Sequence, residues 1–131
     1  MHEQNVAHLD LKPDNILITL KTSLQLHICD YDLSAQVAGP DSWMTGYRGT
    51  PGWTAPEIEE DPGKPYQPIR ADLWSTGRVM EYIASHQPPH TSLFEGLAKK
   101  LLADNPLERP LLSTACILPE EQPPLKQKPS I

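Results

Sequence analysis

Several side chains that could act on a phosphate lie within residues 8–15, which read His-Leu-Asp-Leu-Lys-Pro-Asp-Asn. A predicted hairpin follows them, and Asp30 comes after that hairpin. Because a hairpin can bring the loop before it close to the residue after it, we expect Asp10, Asn15 and Asp30 to converge. Their oxygen atoms suit a hard cation such as Mg²⁺. Lys12 adds a positive charge suited to a phosphate, which leaves Asp10 to accept a hydroxyl proton.

The hairpin that must position these side chains is predicted over residues 16–29. Residues 16–20 are apolar and β-branched, and residues 24–28 alternate with period two, which is typical of strands. The three residues between them, Lys21-Thr22-Ser23, suit a short connection. Residues 32–70 are instead rich in Gly, Pro, Ser and Thr and show little periodicity. They predict a long loop, and a loop of that length inside a compact domain is usually functional.

Two longer helices are predicted in the second half of the chain. The first begins at Asp72, which is a good N-cap, and its apolar residues form a wide face. It must end before Pro88-Pro89. The second begins near Ser92, with Glu95 completing a capping box, and ends at Asn105-Pro106.

The two ends of the chain are predicted to differ from each other. Residues 1–7 read as the end of a helix. Residues 111–118 suit a short final helix. Residues 119–131 hold four prolines and mixed charges, so they are predicted to form a Pro-rich disordered tail.

Composition narrows the class of protein. The 131 residues carry 11 Lys and Arg against 17 Asp and Glu, a net charge of −6, and an acidic chain without basic runs argues against a nucleic-acid partner. No segment reaches the roughly 18 apolar residues that a membrane-spanning helix needs, so no membrane partner is expected. The first residues do not form a secretory signal. We therefore expect an intracellular protein, cytoplasmic or nuclear, whose two cysteines are reduced.

Residues 8–15 resemble the catalytic loop of eukaryotic protein kinases, in the Lys-Pro form typical of the Ser/Thr class. Four further segments resemble, in kinase order, the Asp-Phe-Gly segment, the substrate-docking loop that ends in Ala-Pro-Glu, the start of the central helix and a late loop with an arginine. These segments are residues 29–33, 49–57, 72–77 and 105–110. The resemblance covers residues 1–118 and implies a truncated kinase C-lobe, mainly α with a small β-hairpin.

The resemblance implies an ATP-dependent protein Ser/Thr kinase that uses Mg²⁺, and it gives the matching residues roles. Asp10 would be the base that accepts the proton of a substrate Ser or Thr hydroxyl. Lys12 would steady the γ-phosphate. Asp10, Lys12 and Asn15 together make up the implied catalytic set. Asn15 and Asp30 would hold the magnesium ions that bridge the ATP phosphates. Leu17 would lie under the adenine.

Six supporting positions are also implied: His8, Tyr31, Thr50, Glu57, Asp72 and Arg109. The histidine and the tyrosine would belong to the hydrophobic column that links the two kinase lobes. The threonine would hydrogen-bond the base. The glutamate and the arginine would form a buried ion pair, and the aspartate would accept hydrogen bonds from the catalytic-loop backbone.

Two substitutions depart from the kinase pattern. Leu9 replaces the arginine that in many kinases binds a phosphorylated activation segment. Because leucine cannot pair with a phosphate, we expect that phosphorylation of the nearby hydroxyls is not the on-switch, whether at Ser42, Thr45 or Tyr47. Asp32 replaces the glycine of Asp-Phe-Gly, which either restricts the movement of this segment or marks a degraded site.

The 131 residues contain no Gly-rich phosphate loop, no strand lysine and no helix with its glutamate partner, which together make up the kinase N-lobe. We therefore expect the isolated chain to have little or no activity and to need that missing lobe. Three interpretations stay open: an active kinase with its N-lobe encoded upstream, a pseudokinase or scaffold interaction module, and a truncated product that does not fold stably. The kinase residue types are all retained at four positions of the site, which favours catalytic ancestry: Asp10, Lys12, Asn15 and Asp30.

Overall fold

Four α-helices and two small antiparallel sheets make up the part of the chain that the structure describes. The structure is a computed structural model, and it describes residues 1–86 and 92–115. The elements in chain order are β1 (Val6–Ala7), β2 (Ile16–Leu20), β3 (Leu24–Ile28), β4 (Ala35–Gln36), α1 (Pro56–Glu59), α2 (Pro68–His86), α3 (Ser92–Leu101) and α4 (Leu112–Ala115). Short 3₁₀ helices span His2–Gln4, Pro13–Asn15 and Pro106–Glu108. The predicted class, mainly α with a small hairpin, is confirmed.

The predicted hairpin is present, and it determines where residues 8–15 end, which we call the catalytic stretch after the resemblance drawn above. β2 and β3 pair antiparallel, with Ile16 opposite Ile28, and residues 21–23 connect them. The backbone N–H of Cys29 donates to the carbonyl oxygen of Asn15 at 2.9 Å. The pairing therefore continues beyond the two strands, so that the end of the catalytic stretch and the residues after the hairpin lie at the same end of the sheet.

The central helix α2 begins at Pro68, four residues before the predicted start at Asp72. Proline is favoured in the first turn of a helix because it has no N–H group to leave without a partner there. Asp72 lies fully buried inside the helix, and its carboxylate binds another part of the chain. The prediction that Asp72 is the N-cap is wrong, because its side chain makes a tertiary contact instead. Although α2 is the longest helix, none of the helices in the described residues is both long enough and apolar enough to cross a membrane.

The second long helix is shorter than predicted. α3 begins at Ser92 as expected but ends at Leu101, before the predicted stop at Asn105. Asn105 instead caps the following 3₁₀ helix, where its Oδ1 accepts a hydrogen bond from the backbone N–H of Leu107 at 3.1 Å. The predicted final helix is present as α4. Outside the described residues lie the predicted stop at Pro88-Pro89, residues 116–118 and the predicted tail, residues 119–131.

The region predicted as a long loop is more regular than its sequence indicates. Within residues 32–70, β4 pairs with β1, with Ala35 opposite Ala7, and Met44 forms an isolated bridge with Tyr66. Residues 1–7 form a 3₁₀ helix and β1, so the prediction that they end a helix is wrong. A strand of two residues has no periodicity of its own, and only its distant partner strand defines it.

The hydrophobic core lies between the catalytic stretch, α1 and the first turns of α2. Its buried apolar residues are Ala7, Leu9, Ala55, Ile58, Tyr66, Ile69 and Ala71. Met44, Trp74 and Leu111 are among the half-buried residues that pack against this cluster. The catalytic stretch is therefore packed directly against the central helix.

Gly77 allows α2 to approach the end of α3 closely. A Cβ atom at Gly77 would lie 2.9 Å from Cγ of Leu102 and 3.0 Å from Cβ of Leu101. We expect Gly77→Ala to lower the free energy of unfolding by about 1–3 kcal/mol, because the packed side chains must shift. Gly96 in α3 has nothing within 4 Å of the same position, so Gly96→Ala is expected to raise it by about 0.5–1 kcal/mol. Urea unfolding of both variants measures the difference, and a stabilised Gly77→Ala chain would contradict the prediction.

Candidate active site

Asp72 holds the backbone of the catalytic stretch from within α2. Its Oδ2 accepts a hydrogen bond from the N–H of His8 at 2.6 Å, and its Oδ1 accepts one from the N–H of Leu9 at 2.7 Å. Nε2 of His2 donates a third hydrogen bond to Oδ2 at 2.9 Å. Leu9 has a φ of 65°, a left-handed conformation that is unfavourable for a leucine. Two N–H groups held by one buried carboxylate stabilise that conformation.

His8 joins the catalytic stretch to the residues after the hairpin, and its side chain is fully buried. The N–H of Asp10 donates to Nδ1 at 3.2 Å, so Nε2 carries the ring proton and donates to the carbonyl oxygen of Cys29 at 3.0 Å. The ring of Tyr31 packs edge-on against the imidazole, with the ring centroids 4.8 Å apart. Both sequence neighbours of Asp30 therefore contact this histidine.

Asp10 is the centre of a hydrogen-bond network, and only 9% of it is exposed. Oγ1 of Thr50 donates to Oδ1 of Asp10 at 2.6 Å. Nζ of Lys12 donates to the same threonine oxygen at 2.8 Å and lies 3.6 Å from Oδ2 of Asp10. The carboxylate is thereby fixed in direction, with a cation beside it.

Asn15 completes this network and leaves one atom for a cation. Its amide nitrogen donates to the carbonyl oxygen of Asp10 at 2.8 Å and to Oδ2 of the same residue at 3.2 Å. Because both amide hydrogens are used, Oδ1 of Asn15 is the atom left to bind a cation. Asp30, with a φ of 63°, is exposed at the same end of the hairpin.

These donors match the ligands that Mg²⁺ prefers. In the described part of the chain, no three His, Cys, Asp or Glu residues form a group that could hold a metal. A cation here would be held by one amide oxygen and one carboxylate, with phosphate oxygens and water completing its shell, which is typical of Mg²⁺ at a nucleotide. In donor chemistry Asn15 and Asp30 therefore fit the predicted cation, and their joint binding of it stays a prediction.

An exposed leucine lies next to this network. Leu17 in β2 is 54% exposed and pairs with His27 across the hairpin. Adjacent strand residues rise by about 3.3 Å, so Leu17 lies about 7 Å along the chain from Asn15. It stays a predicted contact for the adenine of a nucleotide.

A buried ion pair joins α1 to the segment that follows α3. Nη1 and Nη2 of Arg109 donate to Oε1 and Oε2 of Glu57 at 2.6 and 2.9 Å. The arginine side chain is fully buried, and that of the glutamate is 19% exposed. Arg109 also donates to the carbonyl oxygens of Arg70 and Ala103, both at 2.9 Å. One guanidinium group therefore connects α1, α2 and the end of the α3 region.

The family of this chain follows from sequence comparison. Residues 1–106 match the protein kinase domain family. The chain belongs to the protein kinase family. The matched residues include the catalytic stretch, Asp30 and the segment that ends at Glu57, so the resemblance drawn from the motifs is confirmed at the level of the family.

The curated relatives that this kinase chain matches include several that are named serine/threonine-protein kinases. It is 37% identical over 120 residues to human Serine/threonine-protein kinase ULK3, covering 88% of this chain and 25% of the relative. It is 35% identical over 96 residues to human Nik-related protein kinase, covering 71% of this chain and 6% of that relative. Mouse Serine/threonine-protein kinase 36 is 30% identical over 118 residues, covering 88% of this chain and 8% of that relative. The chain thus spans no more than a quarter of the length of these relatives.

The two departures from the kinase pattern have different surroundings. Leu9 is buried, with 5% of it exposed, and belongs to the hydrophobic core cluster. Asp32 is exposed, and its backbone N–H donates to Oδ1 of Asp30 at 3.4 Å. Leu9 therefore contributes to packing of the catalytic stretch, whereas Asp32 contacts the predicted cation ligand Asp30 through its backbone.

The three hydroxyl groups singled out in the sequence also differ. Oγ of Ser42 accepts a hydrogen bond from the N–H of Gly39 at 3.0 Å. Thr45 is exposed. The hydroxyl of Tyr47 donates to Oε1 of Glu59 at 3.1 Å. Partial burial raises the pKa of Tyr47 above its ordinary value, so this hydroxyl stays protonated at neutral pH.

Two residues of this kinase chain that contact the site region were missed in the sequence. His2 binds Asp72 across a separation of 70 residues, and Arg48 donates to backbone carbonyl groups 14 and 15 residues earlier. No local pattern marks either contact. For Arg48 the one available signal was its position two residues before Thr50.

Proposed function

We propose that this chain is the C-lobe of a protein Ser/Thr kinase whose parent activity transfers the γ-phosphate of ATP to a protein hydroxyl. The observation that carries the proposal is the network in which Thr50 orients the carboxylate of Asp10 while Lys12 lies beside both. The names of two of the relatives support the Ser/Thr class. The net charge of −6 favours a protein rather than a nucleic acid as the second substrate.

The network suggests how each residue acts in the transfer. The substrate hydroxyl oxygen attacks the γ-phosphorus, the bond to the ADP oxygen breaks, and the hydroxyl proton passes to Asp10. The hydrogen bonds from Thr50 and Asn15 hold that carboxylate in one orientation, which matters because phosphoryl transfer depends mainly on positioning. Lys12 places a positive charge where negative charge develops on the phosphate oxygens.

Nucleotide binding would involve residues at the end of the hairpin. Oδ1 of Asn15 and the carboxylate of Asp30 would hold Mg²⁺, which when bound neutralises charge on the phosphates. The exposed side chain of Leu17 would contact the adenine. These residues supply half of a nucleotide site, and charge stabilisation is weak where the other half is water. We therefore propose that the isolated chain has little or no kinase activity without an N-lobe, and that the protein acts in the cytoplasm or the nucleus.

Magnesium-dependent nucleotide binding tests this proposal. We expect Mg-ATP at millimolar concentration to raise the melting temperature of the 131-residue chain, because a ligand that binds only the folded state stabilises it. Asp30→Asn is expected to abolish the rise, whereas Asp14→Asn, at an exposed acid beside Asn15, is expected to preserve it. ATP with EDTA in place of Mg²⁺ should also give no rise.

The other outcomes favour other interpretations. A cooperative melt with no response to Mg-ATP would contradict nucleotide binding and would favour a scaffold interaction module. A melt that is not cooperative would favour a truncated product that does not fold stably. Robust ATP-dependent phosphorylation by the isolated chain would refute its proposed inactivity.

A further inference from the structure

Arg48 connects the two ends of an otherwise irregular segment. Following the family resemblance, we define residues 30–57 as the activation segment. The half-buried guanidinium of Arg48 donates from Nη1 to the carbonyl oxygens of Leu33 at 3.0 Å and of Ser34 at 3.1 Å. A charged donor makes stronger hydrogen bonds than a neutral one. These two bonds close a loop of more than a dozen residues. They offset the conformational entropy that is lost when such a loop is closed.

The later part of this loop is itself attached to the core. Met44 and Tyr66 exchange two backbone hydrogen bonds, each of 2.9 Å. The hydroxyl of Tyr66 donates to the carbonyl oxygen of Gly46 at 2.8 Å, and the ring is buried in the same cluster as Leu9. Burial raises the pKa of Tyr66, and the nearby charge of Arg48 opposes that rise. The later part of the loop that Arg48 closes is therefore attached to the core at Tyr66.

Other cations contact the activation segment from outside it: Lys12 donates to Thr50, and Arg70 pairs with Asp41. Leu9 occupies the position at which many kinases, by the resemblance, carry an arginine, and it is buried among apolar side chains. Arg48 belongs to the segment itself, and its acceptors are backbone carbonyl groups rather than a phosphate. Such a connection is present without any modification of the chain.

We propose that Arg48 is a positioning residue that holds residues 33–48 docked without phosphorylation, and thereby places Thr50 against Asp10. Thr50 follows Arg48 by two residues, and Gly49 between them has a φ of 131° and packs against Thr54 and the carbonyl oxygen of Leu9. This close packing transmits the position of Arg48 to Thr50. Only the consequence for catalysis rests on the proposed kinase function, since the docking itself requires no nucleotide.

Amide hydrogen exchange of the unphosphorylated 131-residue chain, followed by mass spectrometry of its peptides, tests the proposal. Arg48→Ala is expected to speed exchange at least about tenfold in peptides over residues 31–36 and 49–54, because it removes hydrogen bonds from a charged donor. Exchange in α2 should not change. Lys64→Ala, which removes an exposed positive charge, is the matched control and should leave all peptides unchanged.

Two further variants separate positioning from a general loss of structure. Arg48→Lys keeps the charge but not the fork of donors, so it should restore part of the protection. Thr45→Glu, which mimics a phosphate at an exposed position, should neither add protection to the wild-type chain nor restore it in Arg48→Ala. Protection that depends on Thr45→Glu would overturn the proposal. Three other results would also overturn it. Residues 31–36 could exchange without protection in the wild-type chain, or Arg48→Ala could exchange at the same rate as the wild type. Arg48→Ala could also speed exchange elsewhere but leave residues 49–54 unchanged.

Discussion

Replacing Arg109 by leucine is expected to lower the free energy of unfolding of this chain by about 3–5 kcal/mol, the usual cost of breaking a buried ion pair by removing one partner. The substitution would leave the carboxylate of Glu57 without its bidentate hydrogen bonds to the guanidinium group. It would also remove the donors to the carbonyl oxygens of Arg70 and Ala103. An uncompensated charge and two carbonyl groups that lose their hydrogen bonds make this one of the two largest effects that we expect.

Equilibrium unfolding in urea, monitored by circular dichroism, measures the loss. The matched control is Arg78→Leu, because Arg78 pairs with Glu81 at 2.7 Å while their side chains are 38% and 48% exposed. Water screens that pair, and the guanidinium also lies 5.6 and 6.0 Å from the ring centroids of Trp53 and Trp74, so Arg78→Leu should cost no more than about 2 kcal/mol. If Arg109→Leu is unfolded without urea while Arg78→Leu stays folded, the prediction also holds. Equal losses in the two variants would contradict it.

Replacing Asp72 by alanine is the second large effect that we expect. The substitution leaves the buried N–H groups of His8 and Leu9 without an acceptor, and each such group costs about 1–3 kcal/mol. It also removes the contact that holds Leu9 in its left-handed conformation. We therefore expect a loss of about 2–6 kcal/mol in total, together with disorder of the catalytic stretch.

Urea unfolding again measures the loss in stability, and amide exchange over residues 8–15 measures the local effect. Asp72→Asn keeps one oxygen acceptor, so it should lose less than Asp72→Ala. Asp41→Ala is the control, because Asp41 is 68% exposed and pairs with Arg70 at 3.2 Å. Its loss should stay below about 1 kcal/mol. A folded Asp72→Ala chain with unchanged exchange over residues 8–15 would show that the carboxylate is not needed to hold this stretch.

The hairpin and the family were within reach of the sequence alone. The alternation over residues 24–28 and the short polar connection at residues 21–23 are local signals, and β2 and β3 follow them closely. The motifs at residues 8–15 and 49–57 were sufficient to identify a kinase, which the match over residues 1–106 confirms. The chemical roles of Asp10, Lys12, Asn15 and Asp30 stay predictions that the proposed experiments address.

Other features could not be predicted because their causes lie far along the chain. The sequence predicts that α2 starts at Asp72, since aspartate is a good N-cap, but its carboxylate binds a stretch more than 60 residues earlier. β1 and β4 are too short to show periodicity, and each exists because the other is present.

The sequence by itself determined which side chains are the candidates for the chemistry and in what order they occur, because residue type and local spacing are written in the chain. Only the tertiary structure decided how they are held. The hydrogen bonds to Asp72 from His8 and Leu9, the pair of Arg109 with Glu57 and the reach of Arg48 depend on which distant atoms packing brings within about 3 Å. Such contacts are properties of the folded core, so no short stretch of the sequence contains them.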